Sequence, residues 1–229
     1  MVPESNSISG LKNLLNCNNL PQNPAKYYGF FKNIAEILMN KCVISKRGVD
    51  YEIIEIEFYL YTSNHQDVIT YPRVIDHGQW FFHISGVDLS FKSNESQFGG
   101  ILIRGLRKMD DNSQIFGPQK CVEALWDKSD AFELNAEDYP IITERRQKSE
   151  TTINVCPRHI PTYGKNPQDK INGWTARIPS NFKKDLSIED KETLVFHSPY
   201  RFIKLDSIEK SDVKWKDYAG KPKKTDIAI

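Results

Sequence analysis

The chain has 229 residues, 39% hydrophobic and 27% charged, which suits one large soluble domain or two small ones with a real core. Its 31 basic and 30 acidic residues leave a net charge of +1, so a strongly basic nucleic-acid binder is excluded and any nucleic-acid contact must come from a local patch. No charged-then-apolar leader opens the sequence, no apolar run reaches the length of a membrane span, and four scattered cysteines offer no CxxC pair; the expectation is a cytoplasmic protein with no membrane contact and no zinc site.

Residues 1–26 are rich in Asn, Ser and Pro and read as an irregular N-terminal arm. In GFFKNIAEILMN, residues Phe30, Phe31, Ile34, Ile37 and Leu38 recur at helical spacing. KCVISKRGVDYEIIEIEFYLY reads as a strand, a turn at Arg47-Gly48 and a second, long strand. The polar stretch 62–78, with His65 and His77, is a loop long enough to carry function. QWFFHISGVDLSF is a strand pair or a bulged strand broken at Gly86, and ILIRGLRK is a further strand. GPQKCVEALW is a short helix with Pro118 near its start. Residues 127–155 read as loops with a strand at YPIITERR, and INGWTARIPSNF and SPYRFIKL finish the compact part. The Lys-rich end, 209–229, reads as a solvated tail, with phosphate contact as the alternative. Together these elements predict one mixed α+β domain over 27–208 with a mainly antiparallel sheet.

The long strand holds the residues of interest. Strict alternation puts Ile54, Ile56, Phe58 and Leu60 on one face and Glu55, Glu57, Tyr59 and Tyr61 on the other. The plain reading of such a pattern is a core face and a solvated face. The functional reading is that a carboxylate beside aromatic rings acts as a base next to a stacking surface. Two glutamates on one strand are poorly placed to act from opposite sides of a glycosidic bond, although one of them can act alone. The three histidines 65, 77 and 83 lack metal-ligand spacing. Arg104, on an otherwise apolar strand, reads either as half of a structural ion pair with a carboxylate or as a substrate-binding residue that meets a phosphate.

IIEIEFYL resembles a strand of the alkyladenine (3-methyladenine) DNA glycosylase family, with its pattern apolar-Glu-x-Glu-x-Tyr-Leu. Four further segments follow in the family's order: GQWFFHISGVDLSF, ILIRGLRK, FGPQKCVEALW and SPYRFIKL. The resemblance spans about residues 27–205. It implies a curved, mainly antiparallel sheet and a monofunctional base-excision hydrolase acting on DNA, a likeness that carries no metal or organic cofactor and that fits a monomer. It implies that Glu57 activates the water that attacks the sugar C1′, and that Tyr59, His65 and Phe82 line a pocket for a flipped base. Arg104 falls in the matching Leu-Leu-Arg segment. The family's inserted wedge side chain falls at Ser85, which cannot fill a base-sized gap, and no Asn stands at 90–92, where the family screens purines. These departures keep open a second class of function, a non-catalytic nucleic-acid or small-ligand binding module. A structural protein with a solvated Glu/Tyr face is the third.

Overall fold

Every β-branched and aromatic residue from 49 to 62 goes into one strand, and the rest of the molecule is arranged around it. The computed structural model describes residues 7–84, 86–127, 132, 135–147, 149, 151–161 and 166–208. This strand, β2 (Val49–Thr62), follows β1 (Cys42–Lys46) across a tight turn. Arg47 and Gly48 both have positive φ there, 49° and 75°, as such a hairpin requires. One edge of β2 is paired along nearly its whole length with β6 (Gln97–Lys108). The other edge is shared in turn by β1, by β10 (Arg201–Lys204) and by the short β3 (His65–Gln66). Beyond β6 lie β5 (Gly86–Ser90) and β4 (Trp80–His83), and β7 (Gln114–Phe116) pairs the far end of β6. β8 (Ile141–Glu144) extends the sheet past β1, and β9 (Ile153–Cys156) extends it past β10. Every pairing is antiparallel, and the sheet does not close.

The core fills one face of the sheet. Helix α2 (Tyr27–Asn40) supplies Phe31, Ile34, Ala35 and Leu38 at i, i+3, i+4 and i+7, all fully buried. Phe31 lies parallel to Phe58 of β2, with ring centroids 4.6 Å apart. Burying each large side chain of this stripe contributes roughly 1.5–3 kcal/mol. The N-terminal arm is less irregular than its composition suggests, for Ser7–Leu15 forms helix α1. Ile8, Leu11 and Leu15 share one face of it, and Leu11 and Leu15 are buried on the same core. Asn and Ser dominate the counts over 1–26, and they hide this three-residue apolar period.

Strict alternation fails at one point of β2. The register against β6 shifts between Ile53 and Glu55 and again between Glu55 and Ile56, the mark of a β-bulge. The core face is therefore Tyr51, Ile53, Ile56, Phe58 and Leu60, and Ile54 leaves it. Ile54 and Glu55 both face Gly105, where a Cβ would come within 3.0 and 2.9 Å of them. The extra residue places Glu52, Glu55, Glu57, Tyr59 and Tyr61 on one face in spite of the odd spacing from 52 to 55. That face is covered, not solvated: Glu52, Glu55, Glu57 and Tyr61 are all buried.

The cover comes from the second half of the chain. α3 (Pro118–Leu125) begins at the proline, as expected, and packs on β5 and β6, but its buried Cys121 and Leu125 join the α2-side core rather than the cover. α4 (Pro167–Arg177) is capped by Asn166, whose side chain accepts from the Gln168 amide. α4, the 178–187 segment and a π-helical turn at Thr193–His197 form a second apolar cluster with Tyr61, Phe98 and Val68. Two short helices, α5 (Ile188–Glu192) and α6 (Leu205–Ile208), complete the described chain. Residues 1–6 and the Lys-rich tail at 209–229 lie outside the described residues. Among the described residues no helix is long and apolar enough to cross a membrane.

Candidate functional site

Directly opposed residues of neighbouring antiparallel strands point to the same face. On the covered face this rule generates one row across six strands. Cys156 of β9 opposes Arg201 of β10, Arg201 opposes Glu57 of β2, Glu57 opposes Leu102 of β6, Leu102 opposes Asp88 of β5, and Asp88 opposes Phe81 of β4. At the usual strand spacing, Glu57 and Asp88 are two strands or roughly 10 Å apart at Cα. Tyr59 lies two residues along from Glu57, and Arg104 two along from Leu102.

The two glutamates are answered by two arginines. Arg104 donates from Nε to Glu55 Oε1 at 2.7 Å and from Nη1 to Glu57 Oε2 at 3.3 Å. Arg201 donates from Nε to Glu55 Oε1 at 2.9 Å, with its Nη2 2.7 Å from the same oxygen. The backbone N–H of His159 donates to Glu57 Oε1 at 2.8 Å, and the Tyr59 hydroxyl donates to Glu57 Oε2 at 2.7 Å. Burial by itself pushes the Glu57 carboxyl up, but Arg104, Arg201, the His159 amide and the Tyr59 hydroxyl together hold it below the ordinary carboxylate value. Glu57 is thus an anion at neutral pH. Burial, and then the neighbouring Glu57 charge, raise the Tyr59 phenol well above its ordinary value, so Tyr59 stays a donor.

Tyr59 leads from this network into a cavity of about 260 Å³. Its walls include the aromatic side chains of Tyr59, Tyr71 and Trp174 and the polar side chains of Arg73, His83, Asp88 and Arg177. That volume is at the small end for ligand pockets and suits a single ring system. The Arg177 guanidinium lies 5.0 Å from the Tyr71 ring centroid, and His83 stacks on Tyr71 at 5.5 Å. The guanidinium of Arg158 lies 4.7 Å from the Tyr59 centroid and makes a two-pronged pair with Asp67, at 2.5 and 2.9 Å. Ile160 and Pro161, next to His159, line the cavity too, so the chain that binds Glu57 also builds its wall.

The residues marked in the sequence separate into two groups. Tyr59 is in the cavity wall, Glu57 lies behind it, and Arg104 is the cation that fixes Glu57. His65 is elsewhere: it stacks on Tyr27 at 4.3 Å in the core, with Nδ1 2.7 Å from the Leu60 carbonyl and Nε2 2.9 Å from the Tyr200 hydroxyl. A ring so enclosed cannot stack on a ligand. Phe82 alternates with His83 along β4 and so points away from the cavity, half-exposed, with its ring 4.7 Å from that of Trp126. Ser85 lies outside the described residues. Tyr71, Arg73, Asp88, Trp174, Arg177 and Arg158 were not singled out in the sequence. Asp88 carried a usable signal, an acidic residue between Val87 and Leu89 in a short apolar strand. Among the described residues no group of three His, Cys, Asp or Glu side chains could hold a metal ion, and all four cysteines are buried and unpaired.

The contacts of His65 fix its proton. Nδ1 must donate to the Leu60 carbonyl, so Nε2 of the neutral ring accepts from Tyr200. Burial lowers its pKa below the ordinary histidine value. The unfolded chain therefore takes up a proton first as pH falls. The stability due to neutral His65 is complete above about pH 6.5 and is lost as pH falls from there through the folded-state value, at up to about 1.4 kcal/mol per pH unit. Melting temperature should drop between pH 7 and 5. In His65→Gln that slope should flatten, and an unchanged slope would show that another group controls it.

No family model matches the sequence, and no solved structure matches it. Among curated proteins, the uncharacterized protein L759 of Acanthamoeba polyphaga mimivirus is 26% identical over 122 residues, covering 42% of this chain. The chain spans 56% of the length of that relative.

Proposed function

We propose that this chain is a glycosylase-like hydrolase that takes a nucleobase, an alkylated or deaminated purine of DNA, into the Tyr59–Tyr71–Trp174 cavity and cleaves its N-glycosidic bond. The observation that carries this reading is the link between cavity and carboxylate. The tyrosine that forms the wall is the one that hydrogen-bonds Glu57, at 2.7 Å. In the reaction, a water oxygen bonds to C1′, and its proton passes to Glu57. The C1′–N bond breaks, its electron pair leaving with the base. The lowered pKa keeps Glu57 ionised at neutral pH but also makes it a weaker base than a free carboxylate, so what favours its role is position. The resemblance of 27–205 to alkyladenine DNA glycosylases supports the same assignment.

The wall made by α4 supports a nucleic-acid partner. Lys170, Trp174 and Arg177 stand at i, i+4 and i+7 and so form one stripe of this helix. Two cations flank an indole there, the pattern that stacks a base and meets its phosphates. With a net charge of +1, such a local patch is the electrostatic footprint available.

One observation favours the second reading, a binding module without catalysis. Glu57 is fully enclosed, and both its oxygens already accept hydrogen bonds, so water reaches it only if Tyr59 or His159 gives way. The decisive experiment incubates the protein with single-stranded and duplex oligonucleotides carrying one alkylated or deaminated purine and measures free base by chromatography. Release supports the hydrolase. Binding without release selects the module, and neither result would remove both readings. In either case Trp174→Ala should weaken oligonucleotide binding about 10- to 100-fold, the cost of one lost stacking platform. Unchanged affinity would show that the ring does not bind against α4.

A further inference from the structure

The polar end of the cavity is more elaborate than a wall requires. The side chains of Arg73 and Asp88 are each only 3% exposed, and both line the cavity. The two are in ionic contact, Arg73 Nη1 lying 2.8 Å from Asp88 Oδ2. Yet Nη1 is buried with no aligned hydrogen-bond acceptor. The guanidinium is fixed from other directions. Nε donates to the Tyr71 carbonyl at 3.2 Å, and the Phe81 ring lies 4.0 Å below the guanidinium carbon. Asp88 is fixed equally well. His83 Nε2 is 3.0 Å from Oδ1, and a Cβ at position 100 would come within 2.7 Å of the Asp88 side chain, so only Gly100 leaves it room. Removing two charges from water costs several kcal/mol per ion, and a pair held only for stability recovers this through well-aligned hydrogen bonds. Here the alignment is missing within the pair itself, between Arg73 Nη1 and Asp88 Oδ2.

We infer that Arg73 and Asp88 read a lactam edge of the bound ring, a ring carbonyl that accepts from the Arg73 guanidinium beside a ring N–H that donates to Asp88. Asp88 Oδ1 is engaged by His83, while Oδ2 has only the misaligned contact from Arg73 Nη1 at 2.8 Å, so the carboxylate keeps lone pairs for a further donor and the guanidinium keeps N–H capacity for a further acceptor. A planar ring placed between Tyr59, Tyr71 and Trp174 presents its edge to this pair. A ring without a carbonyl leaves the guanidinium unmatched, and a site built to hydrogen-bond rejects such a ligand strongly. The inference rests on the ring-binding reading of the cavity but not on catalysis by Glu57.

The test compares lactam rings with their parent rings on the full chain by NMR titration: uracil against pyrimidine, and hypoxanthine against purine. Within each pair the lactam should bind at least about tenfold tighter. Asp88→Asn, which is nearly isosteric, and Arg73→Gln, which is shorter and uncharged, should each reduce the preference to less than about threefold. Equal binding of lactam and parent ring by the wild type would overturn the inference and leave the ring cavity standing. So would a preference that survives both substitutions. Failure of all four rings to bind would overturn the cavity reading, and the inference with it. If a variant fails to fold, the wild-type comparison still decides.

Discussion

Glu57→Gln is expected to lower base release by about 10²–10⁴, while Glu55→Gln keeps most of it. The comparison matters because both changes remove one negative charge facing the same two arginines. Arg104 and Arg201 would then face a single carboxylate, and breaking a buried pair in this way costs on the order of 3–5 kcal/mol. Both variants should therefore melt at lower temperature by similar amounts. Only Glu57, however, touches the tyrosine of the cavity wall. Measurement of base release below the melting range of both variants separates chemistry from stability. Equal loss in the two variants would assign Glu57 a structural role and favour the binding module. The pH dependence has a definite sign. The folded-state pKa of Glu57 is lowered, so its contribution to stability is complete above the unfolded value, about 4.3. It is lost as pH falls through the lower, folded-state value. The acid limb of base release should likewise lie below the ordinary carboxylate range.

Arg158→Met is expected to destabilise the fold by about 3–5 kcal/mol, which for a chain of this size lowers the melting temperature by roughly 6–20 °C. Arg158 and Asp67 are both fully buried. The guanidinium also donates to the carbonyls of Phe58, Leu194 and Val195, so it ties β2 to the turn after α5. Its loss leaves the buried Asp67 carboxyl without its cationic partner. Arg158→Met combined with Asp67→Leu removes both charges and should recover much of the loss, since an apolar pair of similar volume is often as stable as a buried ion pair. A fall of less than about 2 °C in the single variant would show that the pair is dispensable. The Arg158 guanidinium also lies against the Tyr59 ring, so the single variant should bind oligonucleotides less tightly even at temperatures where it is folded.

Much of this molecule follows from local pattern. The helical period of Phe31, Ile34 and Leu38, the Arg47-Gly48 turn, the two-residue period of β2 and the proline that opens α3 are short-range signals, and each produced the element it predicted. That Arg104 needs an anionic partner follows from a charge on an apolar strand, but the choice between carboxylate and phosphate was open until the sheet set it against Glu55 and Glu57. Other features depend on contacts between distant residues. The bulge at Ile54–Glu55 exists because β2 must match β6, about fifty residues later, and it alone decides which isoleucines face the core. Alternation marked Glu57 and Tyr59 as a second face but gave no sign that this face is covered. The covering segments, 153–161 and α4, lie about a hundred residues away. His65 looked like a loop histidine until Tyr27 and Tyr200 enclosed it. The cavity draws Tyr59, Tyr71, Asp88 and Trp174 from four separate segments. Propensity and period act over a few residues and are set by the sequence directly. A pocket is set by which strands become neighbours, and only the assembled sheet decides that.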